Sequence, residues 1–161
     1  FPDLAGALCS AVPTDALLGA FAEPVGGGKV MGQRPAIDLL FKADRVEDIL
    51  AELDTEAATA GVSGGFARAA AAMIGDKSPT SLKVALAQLR RGRTLDFDEC
   101  MRSEFRVVSR LVRGHDFYEG IRSVIIDKDQ TPHWQPASLQ AVSEADIGRY
   151  FAPVAPELDL T

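Results

Sequence analysis

A chain of 161 residues, 47% of them hydrophobic, is long enough to bury one core of domain size. Its formal charge of −6 and sequence pI of about 4.9 exclude a global attraction to nucleic acid or to an anionic membrane, because displacing counterions from phosphates needs clustered Lys and Arg. No apolar run approaches the roughly 20 residues of a membrane-crossing helix, no basic segment precedes an apolar one as in a secretion signal, and Cys9 and Cys100 lack the spacing of a metal knuckle or a disulfide framework.

Both cysteines read as buried free thiols in a reducing, cytoplasmic setting. The first residue is Phe1 rather than Met, from which an excised, processed or incompletely represented chain is expected. Helical signals recur and strand signals barely appear, so the expected class is all-α: one irregular multi-helix domain over residues 1–161 with about seven or eight helices.

Residues 4–12 read as a short Ala/Leu-rich helix. Pro13-Thr14 then breaks the chain and supplies an N-cap for a helix with Leu17, Leu18 and Phe21 on one face, ended by Pro24. The three consecutive glycines of Val25-Gly26-Gly27-Gly28-Lys29 lose the most backbone entropy on fixing and bury no side chain, so 24–34 is expected to be a mobile loop. These glycines lack the strand, the full spacing and the Lys-Ser/Thr pair of a phosphate-binding loop. Asp44 with Glu47 has the form of a capping box for a helix running to about residue 58, with Val46, Ile49, Leu50, Leu53 and Ala57 as its buried stripe. Gly61 to Gly65 breaks it, and residues 66–74 form a small-residue helix.

Ser78-Pro79 gives an N-cap and a proline at the first helical position, with Leu82, Leu86 and Leu89 following on one side as far as Gly92. Asp96 and Glu99 open the longest helix, whose apolar face is Phe97, Met101, Phe105, Val108 and Val112. Gly114 fits the left-handed residue that closes it. Asp116 and Glu119 read as the cap of a helix bearing Phe117, Ile121 and Val124, and Val124-Ile125-Ile126 as a helix end, since no second strand offers to pair with it. From Asp127 to Pro136 the chain turns, with Pro132 and Pro136 bracketing Trp134. Ser143 and Asp146 cap a last short helix with Ile147, Tyr150 and Phe151, and the tail 152–161 is expected to fray.

Four segments together carry a resemblance. They are Ser78-Pro79-Thr80-Ser81-Leu82-Lys83, Glu104-Phe105-Arg106, Arg113-Gly114-His115-Asp116-Phe117-Tyr118-Glu119-Gly120-Ile121-Arg122, and Asp127-Lys128-Asp129-Gln130 with Pro132 and Trp134. The chain resembles, over about residues 76–151, the carboxyl-terminal region of the 3-hydroxyisobutyryl-CoA hydrolases of the enoyl-CoA hydratase/isomerase (crotonase) superfamily. The resemblance implies the helical C-terminal part of a crotonase-type enzyme without its β/α spiral core. Such a part would cover the acyl-CoA site and pack on the amino-terminal core of the same enzyme or on a neighbouring subunit, with a homo-oligomer as one outcome.

The implied reaction is hydrolysis of the thioester of 3-hydroxyisobutyryl-CoA or a similar short 3-hydroxyacyl-CoA, in valine breakdown or a related bacterial route. Coenzyme A enters as part of the substrate, and no cofactor is implied. In the family two backbone N–H groups of the core polarise the thioester carbonyl, and a Glu and an Asp of the core do the acid/base or nucleophilic work. This chain is therefore expected to hold no catalytic residue and to be inactive alone. Two alternatives stand beside that reading: the corresponding part of an enoyl-CoA hydratase or isomerase, and a non-catalytic helical interaction module.

Phe1-Pro2-Asp3 resembles the triplet that carries a catalytic Asp in the hydrolase core, yet Leu4-Ala5-Gly6-Ala7-Leu8 continues as an ordinary helix, so a chance match or a helix cap is preferred. His115 and His133 have no Ser or Cys nucleophile and orienting group beside them in sequence, and read as turn and loop residues. Asp116, Asp127 and Asp129 lack the ligand count and spacing of a calcium loop, so no metal site is expected. Arg90, Arg91 and Arg93 favour the carbonyl end of a helix rather than a phosphate. Two residues are candidates for binding coenzyme A through the resemblance: Lys128, toward the adenine and 3′-phosphate, and Trp134, stacking on adenine. Their plain readings are a solvated surface cation and an anchor of the tail. Val108 and Val124 stand where hydratases line the acyl pocket with aromatic residues.

Overall fold

The computed structural model describes residues 2–9, 13–22, 28–59 and 61–160, and every regular element among them is helical. The chain divides into two compact units, Phe1–Arg34 and Pro35–Thr161. In the first, α1 (Pro2–Leu8) and α2 (Thr14–Phe21) pack on one another. Leu17 is the buried residue of α2, whereas Leu18 and Phe21 are exposed, so the expected apolar face narrows to one side chain. Residues 29–34 of the expected loop are instead the first turns of α3 (Lys29–Leu40), and residues 24–27 lie outside the described part.

The second unit has two cores. In the first, Ala36 and Leu40 of α3 meet Ile49 and Leu53 of α4 (Val46–Ala57) and Ala67 of α5 (Gly64–Gly75), with Phe41, Phe66, Ile74 and Leu86 around them. Leu53 and Ala67 are both 0% exposed. The alanine lets the α5 backbone come close, and Gly64 is needed for the same reason: a Cβ there would lie 2.8 Å from the Thr59 carbonyl oxygen. The second core joins Val84 of α6 (Pro79–Gly92) and Val107 of α7 (Phe97–Leu111) to Val142, Ile147 and Phe151. Val142 follows a single 3-10 turn, Leu139–Ala141, and the last two belong to α9 (Glu144–Phe151).

Three helix starts form as the sequence predicts. Ser78 accepts the Ser81 N–H at 3.1 Å, Asp96 accepts the Glu99 N–H at 2.8 Å, and Ser143 with Asp146 makes a reciprocal capping box on α9. The Asp44/Glu47 pair does not cap α4, which begins at Val46 without a side-chain cap. Glu47 reaches across to the Lys83 ammonium at 2.8 Å, and Lys83 also donates to the Val142 carbonyl at 3.0 Å. Burial pushes the Glu47 carboxyl up, but the Lys83 hydrogen bond and charge outweigh it and hold the group below its ordinary range. Asp44 pairs with Arg90 at 3.2 Å, while the same guanidinium closes the chain after α3 by donating to the Phe41 and Ala43 carbonyls at 2.9 and 2.7 Å.

The tail is fastened. Arg106 grips Glu157 through Nε at 2.9 Å and Nη2 at 2.7 Å, and Arg110 donates to the Tyr150 and Pro153 carbonyls at 3.2 and 3.0 Å. Replacing Arg106 by Ala should speed hydrogen exchange over residues 153–158 while leaving the transition of the helical cores nearly unchanged, because the pair is half-buried and fastens only the tail. Exchange at the wild-type rate would contradict the fastening.

The longest helix packs in the opposite sense to its sequence pattern. α7 buries Ser103 and Val107, while Phe97 is 76% exposed and Met101 and Val108 also face outward. On α6 Leu89 is 72% exposed. After α8 (His115–Ile121) a single π-helical turn, Arg122–Ile126, leaves Val124, Ile125 and Ile126 exposed. Parts of the apolar stripes of α6 and α7 thus remain open, whereas Leu86 packs on the first core and Leu82, Phe105 and Val112 are half-buried.

Candidate functional site

The residues that carry the resemblance converge around α8. Gly114 precedes it with φ −83° and ψ 155°, an extended backbone rather than the left-handed one expected. Asp116 and Glu119 sit one turn apart on α8, and neither caps it. They hold the segment that follows instead: Asp116 Oδ1 accepts the Gln135 N–H at 2.8 Å and Glu119 Oε1 accepts the His133 N–H at 2.7 Å. Asp116 Oδ2 takes the Ser78 hydroxyl, which ties the start of α6 to the start of α8. Between the two pinned amides, Trp134 lays its indole against Gly120, where a Cβ would meet it at 3.5 Å, and donates Nε1–H to the Asp76 carbonyl at 3.1 Å. The anchoring reading of Trp134 is thus realised.

Arg122 is the hub of the adjoining turn. Its guanidinium holds Glu119 at 2.9 and 2.8 Å, Asp127 at 2.8 Å, Asp129 at 2.6 Å and the Thr131 carbonyl at 3.2 Å. One planar fork serving three carboxylates fixes the turn to the helix. The Arg122 hydrogen bonds, seconded by the His133 N–H, hold the Glu119 carboxyl at about 2. Arg122 and then the Thr131 N–H hold Asp129 at about 2. The same carboxylates push the Arg122 guanidinium up.

Both depressed carboxyls have folded values below their ordinary ones of 4.5 and 3.8, so the stability they contribute is present above that range and is lost as pH falls toward about 2. Acid titration followed by Trp134 fluorescence should therefore show the segment releasing only in strong acid. Arg122→Gln should move the release up toward the ordinary carboxylate range, and an unmoved titration would break the link.

Lys128 lies at the apex of this turn, exposed, with φ 57°, and Gln130 follows with φ 56°. Trp134 forms one wall of a cleft of about 360 Å³ with Leu82, Ala85, Leu111 and Phe117, and a second, mainly apolar cleft of about 580 Å³ continues along α6 past Leu89, Leu95, Cys100 and Ser103. The segments bearing the two binding candidates are pinned by one hub, since Glu119 and Arg122 hold each other. Their side chains have different surroundings, Lys128 in solvent and Trp134 half-buried.

His115 Nδ1 lies 3.1 Å from Asp116 Oδ1, and Ser78 is on the other oxygen, so the carboxylate sits between imidazole and hydroxyl. A general base must contact the hydroxyl it activates, and this order prevents that. The side chain of Asp3 lies outside the described residues. Among the described residues no group of His, Cys, Asp and Glu is placed to hold a metal ion, and no helix is long and apolar enough to cross a membrane. Sequence reasoning missed Arg122. The signal was present in the acid-acid-Arg spacing of Asp116, Glu119 and Arg122, each a turn from the last.

The arrangement is that of a known fold. The structure matches a carnitinyl-CoA dehydratase from Mycobacterium thermoresistibile with a TM-score of 0.81 and 35% identity, over 98% of this chain and 44% of that one. The sequence profile of the enoyl-CoA hydratase/isomerase family matches residues 2–151, and the chain belongs to that family, within the crotonase superfamily. It is 40% identical over 118 residues to the mitochondrial 3-hydroxyisobutyryl-CoA hydrolase of Gallus gallus, covering 73% of this chain and 29% of the relative. It is 39% identical over 127 residues to the small ribosomal subunit protein mS47 of Arabidopsis thaliana, covering 76% and 30%. The chain spans less than a third of the length of these curated relatives.

These matches correct the expected fold class. The expected class is all-α, an irregular multi-helix domain, taken through the resemblance as the helical C-terminal part of a crotonase-type enzyme without its β/α spiral core. The described elements are indeed helices, but their arrangement is found within crotonase-fold proteins over nearly the whole chain, so the class is the crotonase fold. Helical content describes elements, whereas a fold class describes how their apolar faces are closed. Here several of those faces are open.

Proposed function

We propose that the chain is the C-terminal part of an acyl-CoA thioester hydrolase acting on 3-hydroxyisobutyryl-CoA or a similar short 3-hydroxyacyl-CoA, in valine breakdown or a related bacterial route. Its role is to cover the acyl-CoA site and to pack on the rest of the enzyme or on a neighbouring subunit. The observation that carries this reading is the outward set of large apolar side chains, Leu89, Phe97, Val108 and Val124 to Ile126, within the stretch whose motifs resemble the hydrolases. Monomeric proteins rarely expose so much apolar surface without a partner for it. Lys128 approaches the phosphates of coenzyme A in this proposal, and Trp134 contributes a cleft wall rather than an adenine stack, because its indole is committed to Gly120 and Asp76. The groups that attack and polarise the thioester are supplied from outside the residues described.

The test compares the complete enzyme with the 161-residue chain on 3-hydroxyisobutyryl-CoA and on a 2-enoyl-CoA. The complete enzyme is expected to hydrolyse the first and the chain alone neither. Turnover by the chain alone would overturn the covering role. Hydration of the enoyl thioester by the complete enzyme would favour the second reading, a hydratase or isomerase, to which the dehydratase neighbour lends weight. The likeness to mS47, a relative named as a ribosomal protein, supports a third reading as a non-catalytic interaction module. That module would be a monodisperse monomer indifferent to hydrophobic dyes, whereas the open faces favour dye binding or self-association, to be read by light scattering.

A further inference from the structure

The Lys83 ammonium lies where three elements meet. It donates to Glu47 Oε1 on α4 at 2.8 Å and to the carbonyl of Val142, just before α9, at 3.0 Å. An ammonium carries three N–H groups, so one remains after these two. Glu47 is ionised, its carboxyl held below the ordinary range, and offers acceptors only. Its second oxygen, Oε2, is buried and meets no protein donor among the described residues. Buried polar atoms of this kind are almost always hydrogen-bonded. Between α4, α6 and α9 a niche of about 50 Å³ is lined by both side chains, with Val46, Leu86, Ala87 and Ile147 as its apolar walls.

What the two groups lack defines the occupant. Lys83 needs an acceptor and Glu47 Oε2 needs a donor, so a single molecule between them must be both. The ammonium would repel a cation and the carboxylate an anion, so the occupant is uncharged, and the niche admits a molecule of water size but no buffer or metabolite. We propose that a water molecule is a built-in component of this junction, accepting the third Lys83 N–H and donating to Glu47 Oε2. The link between the two cores is then a carboxylate, an ammonium and a water acting together. A buried ion pair repays its desolvation only when its remaining lone pairs and protons are also hydrogen-bonded, and the water meets that condition. The site is independent of the function proposed above.

A high-resolution crystal structure of the 161-residue chain should show a water within about 2.7–3.2 Å of both Lys83 Nζ and Glu47 Oε2. The energetic test fills the niche. Ala87→Val adds two methyl groups at its wall and should displace the water, raising the unfolding equilibrium constant at least about tenfold, because a buried oxygen is left without a donor. In a chain carrying Glu47→Leu and Lys83→Met no polar side chain needs the water. There the same valine should change the constant less than about threefold, its ordinary cost in a helix. Urea unfolding of the four proteins gives the comparison, in which a general overpacking by valine would cost the same in both backgrounds. Failure of Ala87→Val to fold beside a folded triple variant is the same asymmetry carried further and supports the site. A wild-type crystal without the water between the two groups, or a valine effect equal in the two backgrounds, would each overturn it.

Discussion

Leu53→Ala is expected to lower the stability of the 35–161 unit by about 2–5 kcal/mol. The side chain is completely enclosed, in a core that it shares with Leu40, Ile49 and two alanines. Ala36 and Ala67 have no side chain to swing inward, and α5 is already held against the end of α4 at Gly64. The cavity should therefore stay open, which puts the loss in the upper part of that range. Leu50→Ala, three residues earlier on the same helix and half-buried, should cost clearly less. Urea unfolding of both variants decides the matter, and a Leu53 loss no larger than that of Leu50 would mean that the first core is misplaced.

Asp116→Ala is expected to cost roughly 3 kcal/mol, since hydrogen bonds to charged groups contribute about 1.5–3 kcal/mol each and their effects at one junction are not additive. The carboxylate serves the Ser78 hydroxyl, on a residue only 4% exposed, and the Gln135 N–H. Removing it leaves a donor without a partner at the start of α6 and frees one of the two pins on the segment that carries Trp134. Trp134 fluorescence should then change at a lower urea concentration than the helical signal, separating a transition that coincides in the wild type. Asp116→Asn keeps an acceptor for Gln135 and should cost about half as much. Coincident transitions in Asp116→Ala would show that Glu119 alone suffices to hold the segment.

These two residues also mark how far the sequence could be read. The stripe of α4 was legible because its alternation of Val46, Ile49 and Leu53 matches a helix buried on one side, and so were Ser78-Pro79 and Ser143/Asp146, whose caps depend only on residues within three positions. Asp116 and Glu119 have the same local form as a cap but spend their oxygens on amides 14 to 19 residues away, a choice set by tertiary packing rather than by spacing. Asp44 and Glu47 failed as a capping box for the same reason, drawn off by Arg90 and Lys83 of α6. The pattern on α7 was legible as amphipathic, but not that Ser103 and Val107, outside the marked face, would be its buried residues. Periodicity finds a stripe, while only the surroundings tell whether anything covers it. Of the binding candidates, Trp134 was placed by its flanking prolines, but the Arg122 hub beneath Lys128 needed a fold that brings 119, 122, 127 and 129 to one point.

One helix joins the two cores. α6 gives Val84 to one and Leu86 to the other, while Lys83 beside them links α4 to the turn before α9. With successive residues of a single rigid rod committed to opposite sides, neither half of the 35–161 unit can melt while its neighbour stays native. Slow amide exchange should then report one shared opening energy from α4 through α9, and damage anywhere along that rod should be felt at both ends.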